Sequence, residues 1–249
     1  MAAKTGPGMK GEREIERLQS VYREYMPRVA ARWSPENRGN QAILAELERR
    51  VSRMLSGSGL VPLGERRVLD VGCGHGHFLG LLQSLGARAS NLHGVDLLAE
   101  RIAYARSHHP GIRFSVGNAG ELAYPDHFFD LVLLFSVLTS ILDPEMRKRV
   151  AAEVTRVLKP GGAILWYDFR FDDPWNPNVR GVRRTEIATY FPDCRRRLQS
   201  VTLLPPLARR LGPFTSVLYP LLARVPTLRT HNLGLLEDLR APGSGGDPA

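Results

Sequence analysis

The chain has 249 residues, 43% of them hydrophobic and 24% charged, which is ordinary for a globular protein, and no run of about 18 apolar residues is present to cross a membrane as a helix. Its formal net charge is +9, yet only Lys4, Lys10, Lys148 and Lys159 are lysines, an arginine excess that fits GC-rich coding as well as an anionic partner. Cys73 and Cys194 are too few for a disulfide framework or a zinc site, and "MAAKTGPGMKGEREIERLQ" lacks a signal-peptide core, so a cytoplasmic protein without a metal centre is expected.

Residues 11–27 set Ile15, Leu18, Val21, Tyr22 and Tyr25 at helical spacing among charges, and Pro27 closes the pattern. A second amphipathic helix is predicted over 41–55, burying Ile43, Leu44, Leu47, Val51, Met54 and Leu55. "SGSG" at 56–59 reads as a linker, which divides the chain into a helical extension, 1–60, and a main domain, 61–249. Within that domain strands are predicted at 67–71, 92–97, 112–116, 129–135 and 163–168, alternating with helices at 77–85, 98–108, 137–141 and 144–158. "KPGG" at 159–162 ends the last of these helices and turns into the fifth strand. Such a succession gives an α/β fold with a parallel, doubly wound sheet. A helix at 184–191, a strand at 197–203, a proline-interrupted insertion at 205–226 and a final strand at 228–236 complete the chain. Pro213 and Pro220 are expected to cut the insertion into two short helices.

The stretch "VLDVGCGHGHFLGLL" is a strand, a glycine loop and a helix start. Gly72, Gly74 and Gly76 follow G-x-G-x-G, one residue shorter than the dinucleotide fingerprint. Asp70 puts a carboxylate where a pyrophosphate would otherwise sit, so the loop suits a cationic ligand without phosphates. Asp96 closes the second strand, where an acidic side chain accepts hydrogen bonds from both ribose hydroxyls. Asn118 and Ala119, after the third strand, are placed to meet an adenine edge, and Phe135 and Ser136, after the fourth, to flank its ring. A nucleoside with a cationic centre and no phosphate describes S-adenosylmethionine.

On "VLDVGCGHG" (68–76), "GVDLL" (94–98), "GNA" (117–119), "FDLVLLFSVL" (129–138) and "EVTRVLKPGGAIL" (153–165), the chain resembles the class I S-adenosylmethionine-dependent methyltransferases of the broad small-molecule type. The resemblance implies a Rossmann-like sheet, mostly parallel with an antiparallel last strand, under an N-terminal helical cover. It also implies that Gly72, Cys73 and Gly74 line the methionine end through their backbone, that Asp96 with Leu97 serves the ribose, and that Asn118 and Ala119 frame the adenine.

In an open parallel sheet, ligands bind beyond the carboxyl ends of the strands. The segment "DFRFDDPWNPNVRGVRR" (168–184) starts at that edge, and its polar groups suggest a hydroxylated or glycosylated acceptor bound by Trp175, Asn178 and Arg180. His231, at the start of an antiparallel last strand, and Asp172 are the candidate general bases. Tyr22, Tyr25, Trp33 and Arg38 are candidates for a cover over the cofactor. The 205–226 insertion reads as a lid, a homodimer contact or an interfacial membrane anchor. The expectation is methyl transfer to a hydroxyl oxygen of a small molecule or glycan. N- or C-methylation, an RNA methyltransferase and a cofactor-binding scaffold stand as alternatives. DNA is not expected as a partner, because "FSVLTS" ends the fourth strand in place of the Asn/Asp-Pro-Pro-aromatic motif of enzymes that modify base amines.

Overall fold

A computed structural model describes residues 7–25, 30–174 and 176–240. Helix α1 spans Pro7–Ser20 and runs into a wider turn at Val21–Tyr25, and α2 spans Arg38–Ser56. The second helix starts three residues before its apolar pattern does, because the side-chain oxygen of Asn37 accepts from the N–H groups of Gly39 and Asn40. The alternating part then runs β1 (Val68–Val71), α3 (His77–Ser84), β2 (Leu92–Asp96), α4 (Ala99–His108), β3 (Arg113–Val116), β4 (Phe129–Phe135), α5 (Pro144–Val157) and β5 (Leu158–Phe169). It ends with α6 (Arg184–Tyr190), β6 (Cys194–Leu203), α7 (Pro205–Arg210), α8 (Thr215–Leu222) and β7 (Arg229–Asp238).

The seven strands form one sheet in the order β3-β2-β1-β4-β5-β7-β6. Strands β1 to β5 are mutually parallel, and β7 lies antiparallel between β5 and β6. Both faces are covered by apolar side chains: Leu69, Val132, Val150 and Trp166 belong to the core on one side, and Leu79, Leu131, Leu133 and Leu165 to the core on the other. From β1 the chain winds outward to β3 and then returns to place β4 on the opposite side of β1. The resulting crevice at the carboxyl ends of β1 and β4 is the ligand position of such sheets.

Four expectations about elements change. The "KPGG" turn lies inside β5, with Gly161 at φ 75° and a register shift opposite Phe129 and Leu131. The helix expected at 137–141 is a single tight turn, Leu138–Ser140. Pro220 does not break the insertion; it sits inside α8, where the bond its missing N–H forgoes belongs to the exposed turn at Ser216. Strand β6 begins at Cys194, because Arg195 and Arg197 on this edge strand pair with Glu237 across the ladder and hide the apolar alternation.

Candidate active site

Between β1 and α3 the chain turns at Gly72, whose φ is 73° and whose position admits no side chain: a Cβ there would lie 2.7 Å from Val137 Cγ2. The loop's amides are already engaged. Gly72 and Cys73 donate to the carbonyl of Val95 at 2.7 and 3.0 Å, Gly74 to Asp96 Oδ2 at 2.9 Å, and Gly76 to the carbonyl of Cys73 at 2.9 Å. A phosphate cradle needs such N–H groups free and aimed at the anion. Asp70 is buried behind the loop, and burial, followed by the neighbouring Asp96 charge, holds its carboxyl well above the usual carboxylate range. With these four amides taken and the Asp96 carboxylate beside the loop, the site suits a cationic nucleoside better than a phosphate.

A cavity of about 220 Å³ opens at the crevice, lined by Gly72, Asp96, Leu97, Asn118, Ala119, Phe135 and Ser136. Asp96 Oδ1 accepts from Leu98 N at 3.0 Å, which orients the carboxylate at the end of β2. Asn118 Oδ1 accepts from Gly120 N at 2.9 Å, so its amide nitrogen keeps both donors. Asp70, Cys73, Gly74 and Gly76, expected to contact the cofactor, do not line this cavity. Asp70 acts from behind, the Cys73 side chain is buried with its thiol pushed up by burial, and Gly74 orients Asp96. Gly76 begins α3 at φ 84°, where a Cβ would come within 2.9 Å of His109 and Phe114. Of the loop histidines, His75 packs edge-on against Tyr104 and His77 Nε2 lies 2.8 Å from Glu48.

Sequence reasoning missed most of the cavity's roof. Glu14 Oε1 accepts from Leu142 N at 2.6 Å, Arg17 donates to the carbonyl of Ser140 at 2.6 Å, and Ile15 and Leu18 face the cavity between them. The Ser140 hydroxyl donates to the carbonyl of Ser136 at 2.8 Å, so at 3.0 Å it accepts from the hydroxyl of Tyr22. Arg101 stacks over the Tyr22 ring at 4.3 Å and stands 3.9 Å from Asp96. Of the expected cover residues, Tyr22 lines this cavity and Trp33 the next one, Arg38 lines neither, and the side chain of Tyr25 lies outside the described residues.

A second cavity, of about 320 Å³, shares Leu18, Tyr22, Ser136 and Ser140 with the first. Its floor is built from β5, β6 and β7: Tyr167, Phe169, Thr202 and His231. Ser136 and Thr202 both hold non-glycine left-handed conformations, φ 57° and 65°, a form of strain that collects at functional sites. His231 is 4% exposed and lies parallel to the Tyr167 ring at 4.6 Å. Its Nδ1 is 2.8 Å from the hydroxyl of Thr230, which itself donates to the carbonyl of Thr202 at 3.3 Å. In the tautomer in which the hydroxyl donates to Thr202 and accepts from Nδ1–H, Nε2 is the unprotonated nitrogen on a ring that lines the cavity. Burial pushes the imidazole down to about 3, so it is neutral over the physiological range.

Asn178 lines the second cavity, together with Asn176 and Asp173. Asp172 does not; its carboxylate accepts from Gly181 N at 2.9 Å and fixes the loop. Arg180 turns away to pair with Glu186 at 3.6 Å. Trp175 lies outside the described residues. The second cavity continues into a trench of about 800 Å³ whose wall is mostly apolar, with Trp33, Phe169, Phe171, Leu204 and Leu207, and whose charged groups include Arg32, Asp172, Asp173 and Arg209.

The strand order, the antiparallel seventh strand and the crevice site define the class I S-adenosylmethionine-dependent methyltransferase fold. Residues 68–162 match the model of a methyltransferase domain family. The chain is 40% identical over 107 residues to a fatty-acid O-methyltransferase of Mycolicibacterium smegmatis, covering 42% of this chain and 38% of the relative. It is also 40% identical over 112 residues to a phthiotriol/phenolphthiotriol dimycocerosates methyltransferase of Mycobacterium tuberculosis, covering 44% of this chain and 40% of the relative. The alignments thus span about two fifths of the length of these relatives. Among solved structures, an S-adenosylmethionine-dependent methyltransferase from Archaeoglobus fulgidus superposes with a TM-score of 0.57 at 17% identity, covering 78% of this chain and 94% of that one.

Proposed function

We propose that the protein transfers a methyl group from S-adenosylmethionine to an oxygen of an apolar acceptor that bears a hydroxyl or carboxyl group. The observation that carries this reading is the junction of the two cavities at Ser136, Tyr22 and Ser140, with an unprotonated imidazole nitrogen on the acceptor side. When bound, the cofactor supplies a methyl group on a positively charged sulfur, already activated for displacement. Asp96 accepts hydrogen bonds from the ribose hydroxyls, Asn118 donates to the adenine edge, and the Asp96 carboxylate favours the cation. Leu18 and Tyr22 exclude water from the junction and hold the acceptor in line, which is where catalysis by positioning acts. His231 Nε2 takes the proton that an alcohol loses as its C–O bond forms, and a carboxylate acceptor needs no such base.

The mostly apolar trench supports an acceptor with a long hydrocarbon part, and so do the names of the two mycobacterial relatives, a fatty-acid O-methyltransferase and a phthiotriol/phenolphthiotriol dimycocerosates methyltransferase. The test is incubation with S-adenosylmethionine and, in parallel, a long-chain fatty acid, a long-chain alcohol and an alkyl-free methyl glycoside, followed by mass spectrometry of the acceptors. The expected result is an O-methylated fatty acid or alcohol with an equal yield of demethylated cofactor. Methylation of the glycoside alone, or of none of the three, overturns the acceptor class.

A further inference from the structure

Helix α8 is apolar on both sides. Its inner side packs on α2 through Thr215 and Tyr219, with the Tyr219 hydroxyl donating to Glu46 at 2.7 Å. Its outer side carries Val217, Leu218 and Leu221, extended by Phe214 before the helix and Val225 after it, and this spacing makes a single stripe along one helical face. Phe214 is 65% exposed, Val217 61% and Leu221 51%, so the stripe stands in water.

The same helix borders a basic cleft. Ser216 and Pro220 line it from α8, facing Arg49 and Arg53 of α2 and Arg224 beyond the helix. All three arginines are exposed, and none pairs with a carboxylate among the described residues. The cleft's one carboxylate, Glu46, is already held by Arg50 at 3.1 Å and by Tyr219. An apolar ridge flanked by unpaired arginines matches a lipid interface, where apolar side chains enter the acyl boundary while guanidinium groups meet phosphates. The net charge of +9 attracts the same surface from a distance.

We infer that the α8 ridge with Arg49, Arg53 and Arg224 docks the protein on the surface of an anionic phospholipid bilayer. The inference stands apart from the methyl-transfer reading, although an apolar acceptor would reside in that bilayer.

The test is co-sedimentation of the full chain with sucrose-loaded vesicles of phosphatidylcholine alone or with about a third phosphatidylglycerol. Wild type should pellet with the anionic vesicles and stay in solution with the neutral ones. Replacing Arg49, Arg53 and Arg224 together by Gln should lower the partition coefficient about a hundredfold, near fivefold for each charge. The V217D/L221D double variant, with an unchanged melting temperature, should abolish binding to vesicles while leaving cofactor titration intact. Three results overturn the inference: equal binding to neutral vesicles, V217D/L221D binding anionic vesicles like wild type through charge alone, or light scattering that shows a dimer which V217D/L221D splits. Because cofactor binding is read separately, a failure here is distinct from a failure of the proposed activity.

Discussion

At the scale of single residues, the site depends on which groups are already occupied. His231 has the hydrogen bond of Thr230 on one nitrogen and no described partner on the other, whereas Asp172 has surrendered an oxygen to Gly181. Both stood out in the sequence as candidate bases at the carboxyl edge, and neither its polarity nor its spacing separates them. Replacing His231 by Gln should lower kcat about a hundredfold with an alcohol acceptor and leave a carboxylate acceptor nearly unaffected, in keeping with the usual contribution of a general base. With an imidazole that titrates at about 3, wild-type kcat should stay level between about pH 5 and 8, and an inflection near 6.5 that H231Q removes would contradict the assignment. The same burial bears on stability. A histidine whose folded value lies below its unfolded 6.5 stabilises the fold above 6.5, and that contribution is lost as pH falls from 6.5 toward 3.

Among the elements, the sheet was the most legible. Strands β1, β2 and β4 are almost wholly buried and read as short apolar runs bounded by turn residues, and the predicted strands fall on them within a residue or two. What the sequence concealed is the attachment of α1 to the rest of the site. Glu14, Arg17 and Tyr22 look like residues of an ordinary charged helix, but they bind the backbone and hydroxyl groups of 140–142, more than a hundred positions away, and roof the cofactor cavity. Periodicity reports which side of a helix is apolar and is silent on where it docks.

Burial raises the Glu14 carboxyl, but the hydrogen bonds from Arg17 and Leu142 N–H and the Arg17 charge outweigh it, and the net shift is downward. The attachment of α1 is therefore stabilising above the usual carboxylate value and is lost as pH falls through the lowered one. Glu14→Ala should accelerate hydrogen exchange in α1 at neutral pH and weaken cofactor binding about tenfold, the order expected for losing a charge-assisted hydrogen-bond pair. Unchanged exchange in α1 would show that the roof is held by its apolar contacts alone.

For the molecule as a whole, the arginine excess has two destinations. Some arginines are internal brackets: the fully buried Arg147 donates to the carbonyls of Ile141 and Arg180 and pairs with Glu186, and Arg156 ties Leu122, Tyr124 and Asp126 to α5. Others, such as Arg49, Arg53 and Arg224, remain exposed beside the α8 ridge. Composition alone could not divide them, because the division depends on which carbonyls and carboxylates the fold brings near. The first cavity was legible because its residues sit at strand ends that the motif order marks. The second cavity and its trench were not, since their walls come from α1, β5, the 168–184 loop, β6, α7 and β7, and their mostly apolar character arises only when these converge.

The most direct test of the central claim is calorimetric titration of the intact protein with S-adenosylmethionine and with its demethylated product. One site per chain is expected for each, with the cationic form favoured by the Asp96 carboxylate, and both weakened at least tenfold in Asp96→Ala through loss of the ribose hydrogen bonds. Absence of heat with either ligand, or binding that Asp96→Ala leaves unchanged, would contradict the assignment of the crevice between β1 and β4 as the cofactor site.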